Sequence, residues 1–164
     1  MILSAQTIRS LCRDAMYVNP DCTKMISPFC ERTVQNGKSF GLSAAGYDVR
    51  IDIQEGNVMP VFPGDFMLAS TLERFVMPSD VMGVVHDKSS WARKGLTVQN
   101  TVIEPGWSGY LTLELTNHSL KDIVLYPNDP IAQIVFHRLD SPTIQPYSGK
   151  YQNQKRGPQE AIEE

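Results

Sequence analysis

Glu104-Pro105-Gly106-Trp107-Ser108-Gly109-Tyr110-Leu111-Thr112-Leu113-Glu114-Leu115 carries both signals that decide the fold. Its Pro-Gly pair marks a tight turn, because proline presets one backbone angle and glycine accepts the left-handed region that follows. The residues after the turn alternate. Leu111, Leu113 and Leu115 fall on one side of an extended chain, and Tyr110, Thr112, Glu114 and Thr116 on the other. The leucine side is core, so Glu114 points away from it, toward solvent or into a cleft.

Working outward, the same grammar repeats. Upstream, Ser89-Ser90-Trp91-Ala92-Arg93-Lys94, after Lys88, holds no Val or Ile and meets Gly95, which reads as one helical turn with a glycine cap; Leu96 to Ile103 is a short apolar segment. Val81 to His86 is a short strand, and Phe66 to Val76 a longer one that ends at Pro78, preceded by a Pro63-Gly64-Asp65 turn. Asn57 to Val61 is another strand. Tyr47-Asp48-Val49-Arg50-Ile51-Asp52-Ile53 alternates apolar and charged residues, the pattern of a half-buried strand. Met16 to Ser43 is interrupted by Asn19, Pro20, Pro28, Asn36 and Gly37 and reads as mostly loop with room for a short strand. Ser4 caps a helix to about Ala15, with Thr7, Ile8, Leu11 and Cys12 on one stripe.

Downstream, Ile123 to Tyr126 is a strand closed by Pro127-Asn128-Asp129-Pro130, and Ala132 to Leu139 is apolar on both faces, as a central strand is. From Tyr147 the chain turns polar, the composition of a flexible tail. Many short strands with turns between them predict an all-β sandwich or barrel with a short N-terminal helix. No internal repeat or linker divides residues 1–164, which read as a single domain.

The chain is 41% hydrophobic and 20% charged, with a net charge of −3. That balance gives no general attraction to nucleic acid or anionic membrane, so an anionic ligand needs a local basic cluster. No apolar run suits a membrane span and no secretory signal opens the chain. Cys12, Cys22 and Cys30 lack CxxC spacing and suit free thiols in a cytoplasmic protein.

Several side chains suit chemistry. Glu114 is a candidate acid–base group if its surroundings raise its pKa; a solvated strand carboxylate is the alternative. Ser89 and Arg93 share a face of the helical turn, where hydroxyl and guanidinium donors suit a phosphate or a carbonyl oxygen; a capped surface turn is the alternative. Glu104 begins a turn, where acidic residues also sit for local reasons. Lys150, Lys155 and Arg156 could fold over a polyanion or remain a solvated tail. His86, His118 and His137 have no metal-ligand spacing, and the H-x-E…P-C-x-x-C signature of zinc-dependent deaminases is missing.

Several motifs in order give a more specific signal. Met1-Ile2-Leu3-Ser4, Gly46-Tyr47-Asp48-Val49-Arg50, Pro63-Gly64-Asp65 with Leu68 to Glu73, Ser89 to Leu96, Glu104 to Gly109, Leu113-Glu114, and Tyr147 with Lys150 to Gln154 together resemble the dCTP deaminase branch of the dCTP deaminase/dUTPase superfamily. The resemblance implies a distorted, jelly-roll-like β-barrel of the dUTPase type, forming a homotrimer with sites between subunits. It implies hydrolytic deamination of dCTP to dUTP, with Glu114 as general base and acid and Ser89 and Arg93 as polar partners at the reacting base. Lys88, Ser90, Tyr147, Lys150 and Gln154 would contact the triphosphate, Glu104 the deoxyribose and Thr112 the pyrimidine. Magnesium would ride on the triphosphate, with no zinc and no metal held by protein alone, and dTTP would act as an inhibitor. A dUTPase, a bifunctional enzyme releasing pyrophosphate and dUMP, and a non-catalytic nucleotide-binding regulator remain alternatives. Lys88 stands where Arg is common, Glu104 where Asp is common, and the Leu96 to Ile103 segment is shorter than in many members.

Overall fold

The computed structural model describes residues 1–13, 24–35 and 37–163. Helix α1 (Ala5–Arg13) starts where Ile8 N–H donates to the Ser4 carbonyl at 3.0 Å, and it buries Ile8, Leu11 and Cys12. The expected continuation to about Ala15, together with Met16, Asn19, Pro20, Cys22 and Asn36, lies outside the described residues.

The stretch read as mostly loop holds three strands: β1 (Ile26–Ser27), β2 (Thr33–Gln35) and β3 (Lys38–Ser43). The cause is turn chemistry. Gly37, at φ +73°, lies between the paired strands β2 and β3 and lets the chain reverse there rather than interrupting it. Strand β4 (Gly46–Arg50) also departs from its expected half-buried character, because Asp48 is buried along with Tyr47 and Val49. Burial of Asp48 is tolerated because Lys88 Nζ reaches its Oδ2 at 2.6 Å.

The remaining elements follow the sequence pattern closely. They are β5 (Met59–Val61), β6 (Phe66–Val76), β7 (Val81–Asp87), the single turn α2 (Ser89–Ala92), β8 (Leu96–Val98) and β9 (Val102–Ile103). Strands β10 (Ser108–Asn117), β11 (Ile123–Leu125) and β12 (Pro130–Arg138) complete the set.

These strands form a six-stranded sheet, β2-β3-β4-β12-β7-β9, a four-stranded sheet, β1-β6-β10-β8, and the pair β11-β5. Paired strands run antiparallel, and an Ile51–Thr71 bridge joins the two larger sheets. Tyr47, Ile51, Phe75, Leu113, Leu115 and Phe136 fill the core between them. A buried ion pair crosses it: Glu73 accepts from Arg50 Nε at 2.7 Å and from the Arg50 backbone N–H at 2.9 Å. Burial pushes the Glu73 carboxyl above the usual carboxylate range, against the pull of Arg50. No helix among the described residues is long and apolar enough to cross a membrane.

Candidate active site

Strand β10 sets the floor of the site. Its leucines at 111, 113 and 115 are buried, and Tyr110, Thr112, Glu114 and Thr116 are half-buried on the opposite face. On β6, Ser70 lies opposite Thr112 and Leu68 opposite Glu114. Antiparallel partners share a face, so Leu68 flanks the Glu114 carboxylate. Above this face opens a cavity of about 490 Å³, within the range of nucleotide-sized ligand pockets.

Five of the residues singled out from sequence meet in this cavity: Glu104, Thr112, Glu114, Tyr147 and Gln154. Glu104 arrives on the Glu104–Trp107 turn, closed by a Trp107 N–H to Glu104 carbonyl bond of 3.1 Å. Tyr147 is held by its N–H on the Pro105 carbonyl at 2.8 Å. Phe66, Leu68, Ile103 and Trp107 supply the apolar wall.

Glu114 is the unusual group. Its Oε2 is buried and has no hydrogen-bond partner among the described residues. Burial pushes its carboxyl above the ordinary carboxylate range, with its own backbone N–H pulling the other way. A buried carboxylate oxygen without a partner is costly, and Glu114 carries it in the lining of the cavity.

The polar tail is laid against the same wall. Gln154 forms a parallel bridge with Gly109, and its carbonyl accepts from Tyr110 N–H at 3.1 Å. Trp107 Nε1 donates to the Tyr151 carbonyl at 2.8 Å, and Ser108 N–H donates to Gln152 Oε1 at 2.8 Å. Gln154 Nε2 reaches the Thr112 hydroxyl, which also accepts from the Gln159 N–H at 3.0 Å. Two glycines make room: a Cβ on Gly106 would meet Pro146 Cβ at 2.5 Å, and one on Gly109 would meet Gln154 N at 2.7 Å.

The other expected residues lie elsewhere. Lys88, Ser89, Ser90 and Arg93 belong to α2 and its flanks, outside the lining of this cavity. Ser89, Ser90 and Arg93 are exposed, and their side chains are not engaged by hydrogen bonds or ion pairs among the described residues. Lys88 is instead drawn inward: it and Asp48 retain only 10% and 11% of their side-chain exposure. Buried Trp91 pins the turn through a 2.6 Å bond from Nε1 to the Pro130 carbonyl. Lys150 donates to the Ile162 carbonyl rather than facing the cavity.

Sequence reasoning missed Asp48 as the partner of Lys88, since a strand carboxylate reads as solvated until its neighbour is known. It also missed Gln159, Glu160 and Ala161, which line the cavity. Their polar composition offered no signal for a docked position.

Fold and site together define a protein of the dUTPase architecture with a carboxylate-bearing pocket. The dUTPase of Staphylococcus bacteriophage 80alpha aligns over 73% of this chain and 89% of its own, with TM-score 0.54 and 15% identity. The dUTPase from phage phi11 of S. aureus aligns over the same shares with TM-score 0.53 and 16% identity. Likeness at this level establishes the fold alone. Residues 41–139 match the family model for dCTP deaminase-like proteins, and the chain belongs to that family. The dCTP deaminase of Campylobacter fetus is 36% identical over 80% of this chain and 87% of its own length. That of Pyrococcus abyssi is 36% identical over 80% and 88%.

Proposed function

We propose that the protein converts dCTP and water to dUTP and ammonia, with Glu114 moving the protons. The observation that carries this reading is Glu114 in the lining of a nucleotide-sized cavity, with its Oε2 buried and unbonded among the described residues. Relatives named dCTP deaminase over most of the chain supply the substrate.

Cytosine C4 is a weak electrophile, so water must lose a proton as N3 gains one. Glu114 takes the proton from water and delivers it to N3 while the oxygen bonds to C4. It then carries the remaining hydroxyl proton to the amino group, C4–N breaks, ammonia leaves and the carbonyl of dUTP forms. A carboxyl raised toward neutrality suits both directions of transfer. Thr112 frames the pyrimidine, Glu104 takes the deoxyribose hydroxyl, and Tyr147 and Gln154 face the triphosphate. Lys88 and Lys150 complete the phosphate contacts once nucleotide displaces Asp48 and the Ile162 carbonyl, their present partners, and the unengaged Ser90 hydroxyl joins them. Magnesium would be carried on the triphosphate, where it neutralises phosphate charge; Glu104 and Glu160 in the lining are oxygen donors of the hard type it accepts.

Ser89 and Arg93 are needed beside the base, yet α2 lies apart from its own chain's cavity. A homotrimer resolves this: α2 of one subunit completes the cavity of the next, bringing donors to the bare Glu114 oxygen. On this reading the enzyme serves deoxynucleotide supply in the cytoplasm and is inhibited by dTTP.

The exposed Glu104 carboxylate on the cavity rim favours one second reading, a bifunctional enzyme that also activates water at the α-phosphate. Product analysis with dCTP decides. Ammonia with dUTP supports the first reading, ammonia with pyrophosphate and dUMP the second, and absence of ammonia contradicts both.

A further inference from the structure

Arg156 belongs to the basic tail cluster that charge alone would assign to a polyanion. The structure commits it elsewhere. Its Nε and Nη2 donate to Asp52 Oδ2 and Oδ1, both at 2.7 Å, across a separation of 104 residues. This is the bidentate fork that guanidinium and carboxylate make best. Asp52 is 13% exposed and Arg156 62%, so a nearly buried acceptor on the barrel fixes a base that reaches in from outside. Asp52 is itself held, its N–H donating to the Ser70 carbonyl at 2.8 Å.

The position of the pair along the tail gives it meaning. Just before it, Gln154 bridges Gly109 and donates to Thr112; just after it, Gln159 N–H donates to the same Thr112 hydroxyl. Glu160 and Ala161 then line the cavity together with Leu68 and Phe66. Finally, Ile162 N–H donates to Tyr151 OH at 3.0 Å. The bidentate pair thus fastens the tail between its two contacts on Thr112.

We propose that Asp52 and Arg156 form a latch that holds the C-terminal segment in place as the outer wall of the nucleotide cavity. Asp52 is a positioning residue that acts through Arg156 and touches no nucleotide. The inference rests on the reading that this cavity takes dCTP. A released tail removes Gln154, Gln159 and Glu160 from the cavity wall and admits bulk water. The loss falls on nucleotide binding, because Glu114 and its strand do not move.

The test uses the full-length protein with Asp52→Asn, Arg156→Gln and the exchanged pair Asp52→Arg with Arg156→Asp. Two readouts are taken: the rate of lysine-specific proteolysis after exposed Lys155 without nucleotide, and KM and kcat for ammonia release from dCTP. Each single variant is expected to be cleaved faster and to raise KM about fivefold while kcat stays within about twofold, as loss of a partly exposed bidentate pair implies. The exchange restores both. Salt should speed cleavage of the parent protein but not of Asp52→Asn, a readout that holds even where the exchanged pair folds poorly. Unchanged cleavage and KM in the single variants overturn the latch, as does equal salt dependence in parent and Asp52→Asn. Failure of the parent to release ammonia overturns the deaminase reading instead, and the proteolysis then decides the latch alone.

Discussion

Glu114 on β10 stands directly opposite Leu68 on β6, so the acidic side chain of the cavity has an apolar cross-strand neighbour. The pairing explains the raised carboxyl, since desolvation penalises the charged form and no ion pair among the described residues offsets it. A carboxyl raised in the folded state binds more protons there than in the unfolded chain, between the ordinary and raised values. Stability therefore falls as pH rises through that window. Glu114→Gln removes this loss, and its melting temperature at pH 7 should equal or exceed that of the parent, with the advantage vanishing in acid. Thermal unfolding at several pH values checks it. The ionised carboxylate is the working base, so the acid limb of the kcat/KM profile should lie above the ordinary carboxylate range.

The Arg50–Glu73 pair calls for the opposite outcome. Glu73 is 0% exposed and holds both the guanidinium and the backbone N–H of Arg50. Glu73→Ala strands a buried guanidinium and should cost roughly 3–5 kcal/mol in urea unfolding. Neither residue lines the cavity, so any folded fraction should retain nucleotide affinity.

Gly109 on β10 is where the tail docks, through its bridge with Gln154. Its φ of +147° and the 2.7 Å approach of Gln154 N to the site of a Cβ leave no room for a side chain. Gly109→Ala should disfavour the docked tail by roughly 1–3 kcal/mol. The expected result is a raised KM for dCTP and faster tail proteolysis, with the barrel's circular dichroism unchanged.

Much of this was legible in the residues. Leucines at 111, 113 and 115 announced β10 and placed Glu114 on its open face, because strand periodicity depends only on local geometry. Phe66 to Val76 appears as β6 with the expected bounds. What sequence could not give was partnership. Asp48 reads as solvent-facing until Lys88, forty residues on, is folded against it. Arg156 reads as a free cation until Asp52 is brought to it from a separation of 104 residues. Gly37 was read only as an interruption, because a glycine that breaks a strand and one that joins two look alike until the strands are paired.

The division of polar groups between the cavity and α2 makes a prediction about subunits. Glu114→Gln and Arg93→Ala should each lower turnover by at least ~10²-fold. Mixed after joint refolding, they should regain about one quarter of the parent activity, because random three-fold assembly returns both native groups to that share of sites. Recovery no greater than the sum of the two variants would place Glu114 and Arg93 within one subunit's site or remove one of them from it.

The central claim is that the Glu114 carboxylate performs the proton transfers at cytosine. Single-turnover ammonia release by Glu114→Gln, with dCTP affinity measured in parallel, tests it most directly. The account predicts dCTP binding close to that of the parent and a rate lower by ~10²–10⁴-fold. Ammonia release at the parent's rate would contradict it.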